Sequence, residues 1–273
     1  MKFTIFHSPD PDDAFMFAPL QLGLIETPFE IEHKIMDIQT LNELTLKGET
    51  DVSAISFHAY PYVKDKYFLL TTGASVGDGY GPLIVSKKED LKEIQEIAVP
   101  GNLTTAYLVL QIFMKKIDWH PKVKFMRFDE ILPAVSEGKV ESGLLIHEGQ
   151  INYKKYNVNP MVDLGAWWKD RKGTILPLGG LVLSRRLEKY KDEIKEILKR
   201  SFEYALKHPE PCLEFAKKYA RNLSDEENRK FVSMYVNKWT IDLGEEGKKA
   251  VEDLLKEAKE LGIINKDIKI DWV

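Results

Sequence analysis

Cysteine is almost missing from this chain of 273 residues: there is one, Cys212. That excludes an internal disulfide and any thiolate metal cluster. Its surroundings, Pro211-Cys212-Leu213-Glu214-Phe215, read as helix core. Long apolar runs are missing as well, and none approaches the ~20 residues needed to span a bilayer. Met1 to His7 reads as a short strand, with neither the apolar stretch nor the small-residue cleavage site of a signal peptide. A cytoplasmic location with no membrane partner is therefore expected. Blocks of one charge are absent too. The net charge is -4 and no basic cluster stands out, which argues against nucleic acid as a partner.

Several chemical signatures are also missing. There is no His-Glu-x-x-His and no cysteine pair, so a metal site has no support. There is no Gly-x-Ser-x-Gly nucleophile elbow. Gly77-Asp78-Gly79-Tyr80-Gly81-Pro82 lacks the spacing of a dinucleotide or phosphate loop, so it reads as a flexible connection. Internal repeats and low-complexity segments are absent. What remains open is acid–base chemistry on a small molecule, with no cofactor expected.

What is present suits a substantial globular core. Hydrophobic residues make up 44% and charged residues 30%. The length fits two small lobes better than one compact domain. Strand and helix patterns alternate through the first two thirds. Phe3–His7, Phe29–Ile35, Asp51–Phe57, Leu83–Ser86, Ile97–Pro100, Val123–Phe128, Ser142–Ile146 and Gly180–Ser184 read as strands. Asp13–Leu22 reads as a helix stopped by Gly23, and another opens with the capping-box pattern Thr40-Leu41-Asn42-Glu43 and closes at Gly48. Thr105–Met114 is apolar nearly all round, which predicts a buried helix. Ile131–Gly138 is a short helix closed by glycine. The last ~90 residues are mostly helical in pattern, with Leu187, Tyr190, Ile194, Ile197, Leu198 and Phe202 at helical spacing.

Alternation of this kind predicts an α/β fold with mixed, mainly parallel sheets and a helical C-terminal tail. Two sheets with the chain crossing over and back give two lobes and a cleft. The crossings are placed near Ser86–Glu96 and Leu176–Gly180. Residues 1–90 and 180–273 then form a discontinuous first lobe and residues 91–179 the second.

Ligands of such sheets bind beyond the C-terminal ends of strands. Four strand ends carry polar groups there: His7-Ser8, Ser56, Gly101 to Thr105, and His147-Glu148. Of six histidines, only His7 and His147 directly end a strongly apolar strand. Histidine titrates near neutrality and suits proton transfer, although a hydrogen-bonded structural histidine is the commoner occupant of such a place. Thr104 and Thr105 open a helix whose free N–H groups favour a carboxylate or phosphate, or serve as a plain cap. Gly101 would let a ligand approach the backbone. Asp10, Asp12 and Asp13 stand at another helix start, where they complement the helix dipole. Asp13 is the first candidate to orient a histidine or bind substrate hydroxyls. Asn42 and Ser56 could each bond a polar ligand or serve a local turn. Trp167-Trp168 would suit an aromatic ligand or core packing.

Several segments taken in order resemble one family. They are Ser8 to Phe17, Thr40-Leu41-Asn42, Pro100 to Tyr107, Gly143 to Glu148, Asp163 to Trp168, Leu176-Pro177-Leu178-Gly179 and Tyr235-Val236-Asn237. Over essentially the whole chain the sequence is similar to the 1,4-dihydroxy-6-naphthoate synthases of the futalosine route to menaquinone. The resemblance implies a two-lobed periplasmic-binding-protein-like fold of type II adapted to catalysis. It implies conversion of cyclic dehypoxanthinylfutalosine to 1,4-dihydroxy-6-naphthoate with release of dihydroxyacetone. The family's proton-accepting histidine falls on His147. Its substrate contacts fall on Asn42, Ser56, Thr105 and Ala106, with Ala54 and Ile55 on the strand that Ser56 ends. One branch of the family carries Cys and Asn where this chain has Asp10 and Asp12, whereas Asp13 fits both branches. The expected partner is a small anionic substrate, the expected state a monomer or homodimer. The alternatives are chorismate dehydratase, a sister enzyme of the same route, and a solute-binding protein without catalysis.

Overall fold

The computed structural model describes residues 1–220 and 223–273. The chain opens with β1 (Lys2–His7), α1 (Pro11–Gln21), β2 (Glu30–Ile35), α2 (Ile38–Lys47) and β3 (Val52–Ser56). Both β2 and β3 lie parallel to β1. Pro11 starts α1 where its missing N–H costs nothing, and Asp12 and Asp13 occupy the first turn. The helix is buried nearly from end to end and packs on the C-terminal helices introduced below. α2 begins earlier than the Thr40 pattern suggests. Asp37 is the cap, its side chain accepting from the N–H groups of Gln39 and Thr40, while the Thr40 hydroxyl itself donates to Asp37. Gly48, with φ +82°, ends the helix as expected.

α3 (Tyr60–Val63), β4 (Tyr67–Leu69) and β5 (Ser75–Gly77) follow, and then the chain leaves the first sheet. β6 (Leu83–Ser86), β7 (Glu96–Val99), α4 (Thr105–Ile117), β8 (Lys122–Phe125), α5 (Phe128–Ser136), β9 (Ser142–Leu145), α6 (Gly149–Asn152), β10 (Asn159–Asp163) and α7 (Leu164–Lys172) form the second unit. β11 (Leu176–Ser184) returns to the first sheet, and α8 (Lys191–Lys207), α9 (Pro209–Ala216), α10 (Asp225–Tyr235), α11 (Lys238–Ile241) and α12 (Gly244–Glu260) complete the chain. Among the described residues the first sheet has the order β2-β1-β3-β11-β4, with β5 also paired to β11, and the second has the order β10-β6-β9-β7-β8. Both sheets are mixed. The returning strand β11 runs antiparallel to β3, β4 and β5, and β6 runs antiparallel to β9 and β10.

Strand membership corrects the first crossing. β6 already pairs in the second sheet, so the chain crosses at 78–82, the glycine-rich connection, and not at Ser86–Glu96. The boundary at residue 90 moves back accordingly. The return falls between β10 and β11, so Leu176–Gly180 is already first-sheet strand. Gly165 allows the two crossing segments to touch: a Cβ there would stand 2.0 Å from the Tyr80 carbonyl oxygen. Trp167 and Trp168 are core, not cleft. Trp168 is fully buried, Trp167 meets Phe113 edge to face, and Arg171 lies over both rings. The tail is mostly helix, but its last residues add to the edge of β4, where the Leu69 N–H donates to the Asp271 carbonyl and the Leu69 carbonyl accepts from the Val273 N–H. That covers an otherwise open sheet edge. No helix among the described residues is long and apolar enough to cross a membrane.

Candidate active site

One large cavity lies between the two sheets, enclosing about 800 Å³ with its open mouth included. That is a small-molecule dimension. Its walls come from the end of β1 and start of α1, the end of β3, the start of α4, the segment after β9, β11 and α10. Most of these are strand ends and helix starts, where the topology rule puts a ligand; β11 contributes its middle and α10 its second half.

His147 is delivered by β9, through Ile146. Its backbone is left-handed, with φ +54°. The other described non-glycine residues with positive φ, Asp118 and Asn157, are ordinary caps at the ends of helical turns. A histidine in this conformation costs about 1–3 kcal/mol, and such strain collects at functional sites. The strain turns the ring across the cleft toward the first lobe, where Nδ1 stands 2.8 Å from Oδ2 of Asp10. The Phe128 ring packs edge to face on the imidazole at 4.8 Å. The Ser8 hydroxyl donates to the same Asp10 oxygen at 2.7 Å and accepts from the Asp10 N–H at 3.2 Å. Asp10 is therefore held from its own lobe and offered to the other.

Burial opposes a charge on His147, but chiefly the adjacent Asp10 carboxylate, its hydrogen bond and the nearby Glu148 outweigh it and push the pKa up to about 9. The imidazole is half of an ion pair at neutral pH, and Nε2 is the nitrogen left for a ligand. Losing the Nε2 proton gives a base stronger than ordinary histidine, fixed in one tautomer by Asp10.

The expected helper was Asp13, and the structure places it elsewhere. Its Oδ2 accepts from the Ser8 N–H at 2.7 Å, and its titratable neighbour on that side is His7. Burial raises the Asp13 pKa, with His7 and the Ser8 N–H acting against that rise. Asp13 still lines the cavity, next to Asp12.

The opposite wall is built by β3 and α4. Ala54, Ile55 and Ser56 line it, together with Thr104, Thr105 and Ala106. Asn42 does not line it. It is fully buried behind Ser56, donating from Nδ2 to Ser56 Oγ at 3.1 Å and accepting from the Ser56 N–H at 2.9 Å. Asn42 thus fixes the serine that faces the cavity. Thr104 caps α4 by accepting from the Tyr107 N–H, and Thr105 Oγ1 accepts from the His58 N–H at 3.2 Å. His58 is buried, which lowers its pKa to about 4 and keeps it neutral beside the helix start. The N–H groups of Thr105 and Ala106 are the first of α4 and have no intrahelical acceptor, and both residues line the cavity. The space at Gly101 serves the scaffold rather than a ligand: a Cβ there would meet the Gln39 side chain at 2.3 Å. Gln39 bridges the lobes by donating to Asn102 Oδ1 at 2.8 Å and accepting from the Leu103 N–H at 3.3 Å.

Three residues of the site were not singled out from sequence. Asp10 is one of three acids at a helix start in the sequence, where Asp13 is the first candidate to orient a histidine. Gln150 on α6 and Tyr235 on α10 both line the cavity, and the Tyr235 hydroxyl donates to Gln150 Oε1 across it. Burial holds the Tyr235 phenol well above its ordinary pKa. Among the described residues, no group of three or more His, Cys, Asp or Glu side chains is arranged to hold a metal ion.

Comparison with known proteins places this geometry in a lineage. A family model described as menaquinone biosynthesis matches residues 3–260. The 1,4-dihydroxy-6-naphthoate synthase of Thermus thermophilus is 40% identical over 94% of this chain and 93% of its own. A crystal structure of an Archaeoglobus fulgidus protein superposes with a TM-score of 0.92 at 41% identity, covering 96% of this chain and 98% of that one. At the level of fold alone, a Candida albicans protein described as having the generic periplasmic binding protein fold matches with a TM-score of 0.71 at 14% identity, over 98% of this chain and 92% of that one. The fold is periplasmic-binding-protein-like, and the chain belongs to the menaquinone-biosynthesis family.

Proposed function

We propose that this chain is a lyase that converts cyclic dehypoxanthinylfutalosine to 1,4-dihydroxy-6-naphthoate and dihydroxyacetone, with His147 as general base. The observation that carries the proposal is the cross-cleft pair His147–Asp10 at 2.8 Å, opposite a polar wall made of Ser56, Thr105 and the start of α4. The substrate carboxylate binds at that helix start, beside its N–H groups and the hydroxyls of Thr105 and Ser56. Ala54, Ile55 and Ala106 supply apolar contact, and Asn42 acts through Ser56. Asp13 contributes by holding the Ser8 turn. Once the Nε2 proton of the resting imidazolium has passed to solvent, His147 Nε2 removes a proton from the ring system, and Asp10 stabilises the imidazolium that re-forms. Formation of the naphthalene system drives loss of the sugar-derived fragment.

Base catalysis of this kind supplies about 10²–10⁴-fold. Positioning between the lobes supplies much of the remainder. Belonging to the same reading are a cytoplasmic location, independence of cofactors, and a monomeric or homodimeric state. The test is incubation of the purified chain with cyclic dehypoxanthinylfutalosine, following naphthoate by absorbance and mass, with chorismate as a parallel substrate. Naphthoate formed by wild type and lost in His147→Ala supports the reading. Dehydration of chorismate alone, or tight ligand capture without product, contradicts it.

A further inference from the structure

The start of α1 carries three carboxyl groups within four positions, and the structure accounts for two of them. Asp10 Oδ2 is held by His147 Nδ1 and the Ser8 hydroxyl. Asp13 Oδ2 is held by the Ser8 N–H. Asp12 differs. It lines the cavity, and its Oδ1 is buried without a hydrogen-bond partner among the described residues. A hydrogen bond from the Asp13 N–H reaches its carboxyl group.

The titratable groups around Asp12 decide its state. Asp10 and Asp13 face it from its own helix start, His147 from the segment after β9, and the Tyr235 phenol from α10. His147 is the one cation of this set, and Asp10 already pairs with it. Phe231 and Met16 add apolar wall. A helix start ordinarily favours a charged carboxylate. Here burial, and then the charges of Asp13 and Asp10, push the Asp12 acid well above its ordinary range, with His147 opposing. A third negative charge in this space lacks a partner, whereas a carboxylic acid has one O–H to give.

We propose that Asp12 stands in the cavity as a neutral carboxylic acid and donates a hydrogen bond to the substrate oxygen that gains negative charge when His147 takes its proton. The inference rests on the reading of His147 as the base. It divides the labour of one helix start: Asp10 strengthens the base, Asp13 fixes the turn, and Asp12 stabilises the developing anion. Neighbouring acids driven to opposite protonation states are the pattern by which acid and base roles are separated at one pH. The accepting oxygen remains uncharged until the proton has moved, so the Asp12 donor acts mainly on the transition state.

The test uses the full chain as wild type, Asp12→Asn and Asp12→Ala. At neutral pH the infrared difference between wild type and Asp12→Asn shows a carbonyl band of a protonated carboxylic acid that shifts in heavy water. Asp12→Ala lowers kcat by about 10²–10³-fold with a smaller change in KM, the loss typical of one oxyanion donor. Asp12→Asn, which keeps an N–H donor, loses about tenfold or less. Its pH profile also lacks the high-pH fall of kcat that wild type shows as Asp12 ionises. A wild-type spectrum without the band, or an Asp12→Ala kcat within about threefold of wild type, overturns the inference. If wild type forms no naphthoate, the functional reading fails, and the infrared band still decides the state of Asp12.

Discussion

His7 and His147 begin alike and end differently. His7 is the last residue of β1, and His147 stands two residues past the end of β9, one in each lobe. His7 is fully buried, stacks on Phe17 at 4.7 Å and meets His33 edge to face. Its Nδ1 lies 2.9 Å from the Ser8 carbonyl oxygen, which accepts its hydrogen bond. Burial lowers its pKa, with Asp13 and the Ser8 carbonyl acting against that. His147 leaves its strand in a left-handed conformation, enters the cavity and meets a carboxylate from the other lobe, and its pKa rises. The ends of two apolar strands therefore yield a neutral core ring in one lobe and a charged cleft ring in the other. What separates them is the direction of the next backbone step and the partner it finds.

The largest expected effect breaks the comparison at its active member. His147→Ala removes the base and strands Asp10 without its cation. It should lower kcat by about 10²–10⁴-fold in a naphthoate assay, with modest loss of binding. Residual activity near wild type would place the base elsewhere.

Next comes the partner. Asp10→Asn keeps the shape but removes the charge, so His147 is no longer held in one tautomer. We expect kcat to fall by about 10²-fold, the low end of the base contribution. The rising limb of kcat/KM against pH should also move to lower pH, away from about 9. An unmoved limb would show that Asp10 does not set the basicity.

Stability should bend in opposite directions for the two kinds of histidine. His147 has its folded pKa raised from 6.5 to about 9, so its contribution is fully present below pH 6.5 and is lost as pH rises through about 9. The size is on the order of 3 kcal/mol. His7, His33 and His58 are buried and lowered, the latter two to about 3 and about 4. For these the unfolded chain binds protons first, so stability falls as pH drops below 6.5. Chemical denaturation at several pH values should show a dome. Asp10→Asn should flatten its alkaline side alone.

The smallest effect on rate is expected at the quiet member. His7→Gln should cost about 1–3 kcal/mol of stability by loosening a buried polar group, while kcat stays within a few-fold of wild type. A loss of kcat as large as that of Asp10→Asn would mean that His7 controls the Ser8 turn and is not merely core.

Much of this architecture was readable from residues. Strand ends at His7, Ser56 and His147 follow from apolar runs that stop at polar residues, and Gly48 ends its helix because only a left-handed cap fits. The helix start at Thr104 and Thr105 was equally plain. What stayed hidden depends on contacts between lobes. Asp10 and His147 are far apart in sequence, and the strained backbone that brings them together leaves no mark in local periodicity. Asn42 looked like a ligand contact because it is polar and near a helix start, whereas its partner Ser56 lies on β3. The crossing was misplaced because β6 reads as a strand in either sheet; only its pairing decides. Trp167 and Trp168 carry the same ambiguity between cleft and core.

The central claim is that a carboxylate of the first lobe makes a strong base of a histidine of the second. The direct measurement is an NMR titration of the His147 ring in wild type and in Asp10→Asn. A wild-type pKa near 9 is expected, falling once the charge at position 10 is gone. An ordinary value near 6.5 in both proteins would contradict it.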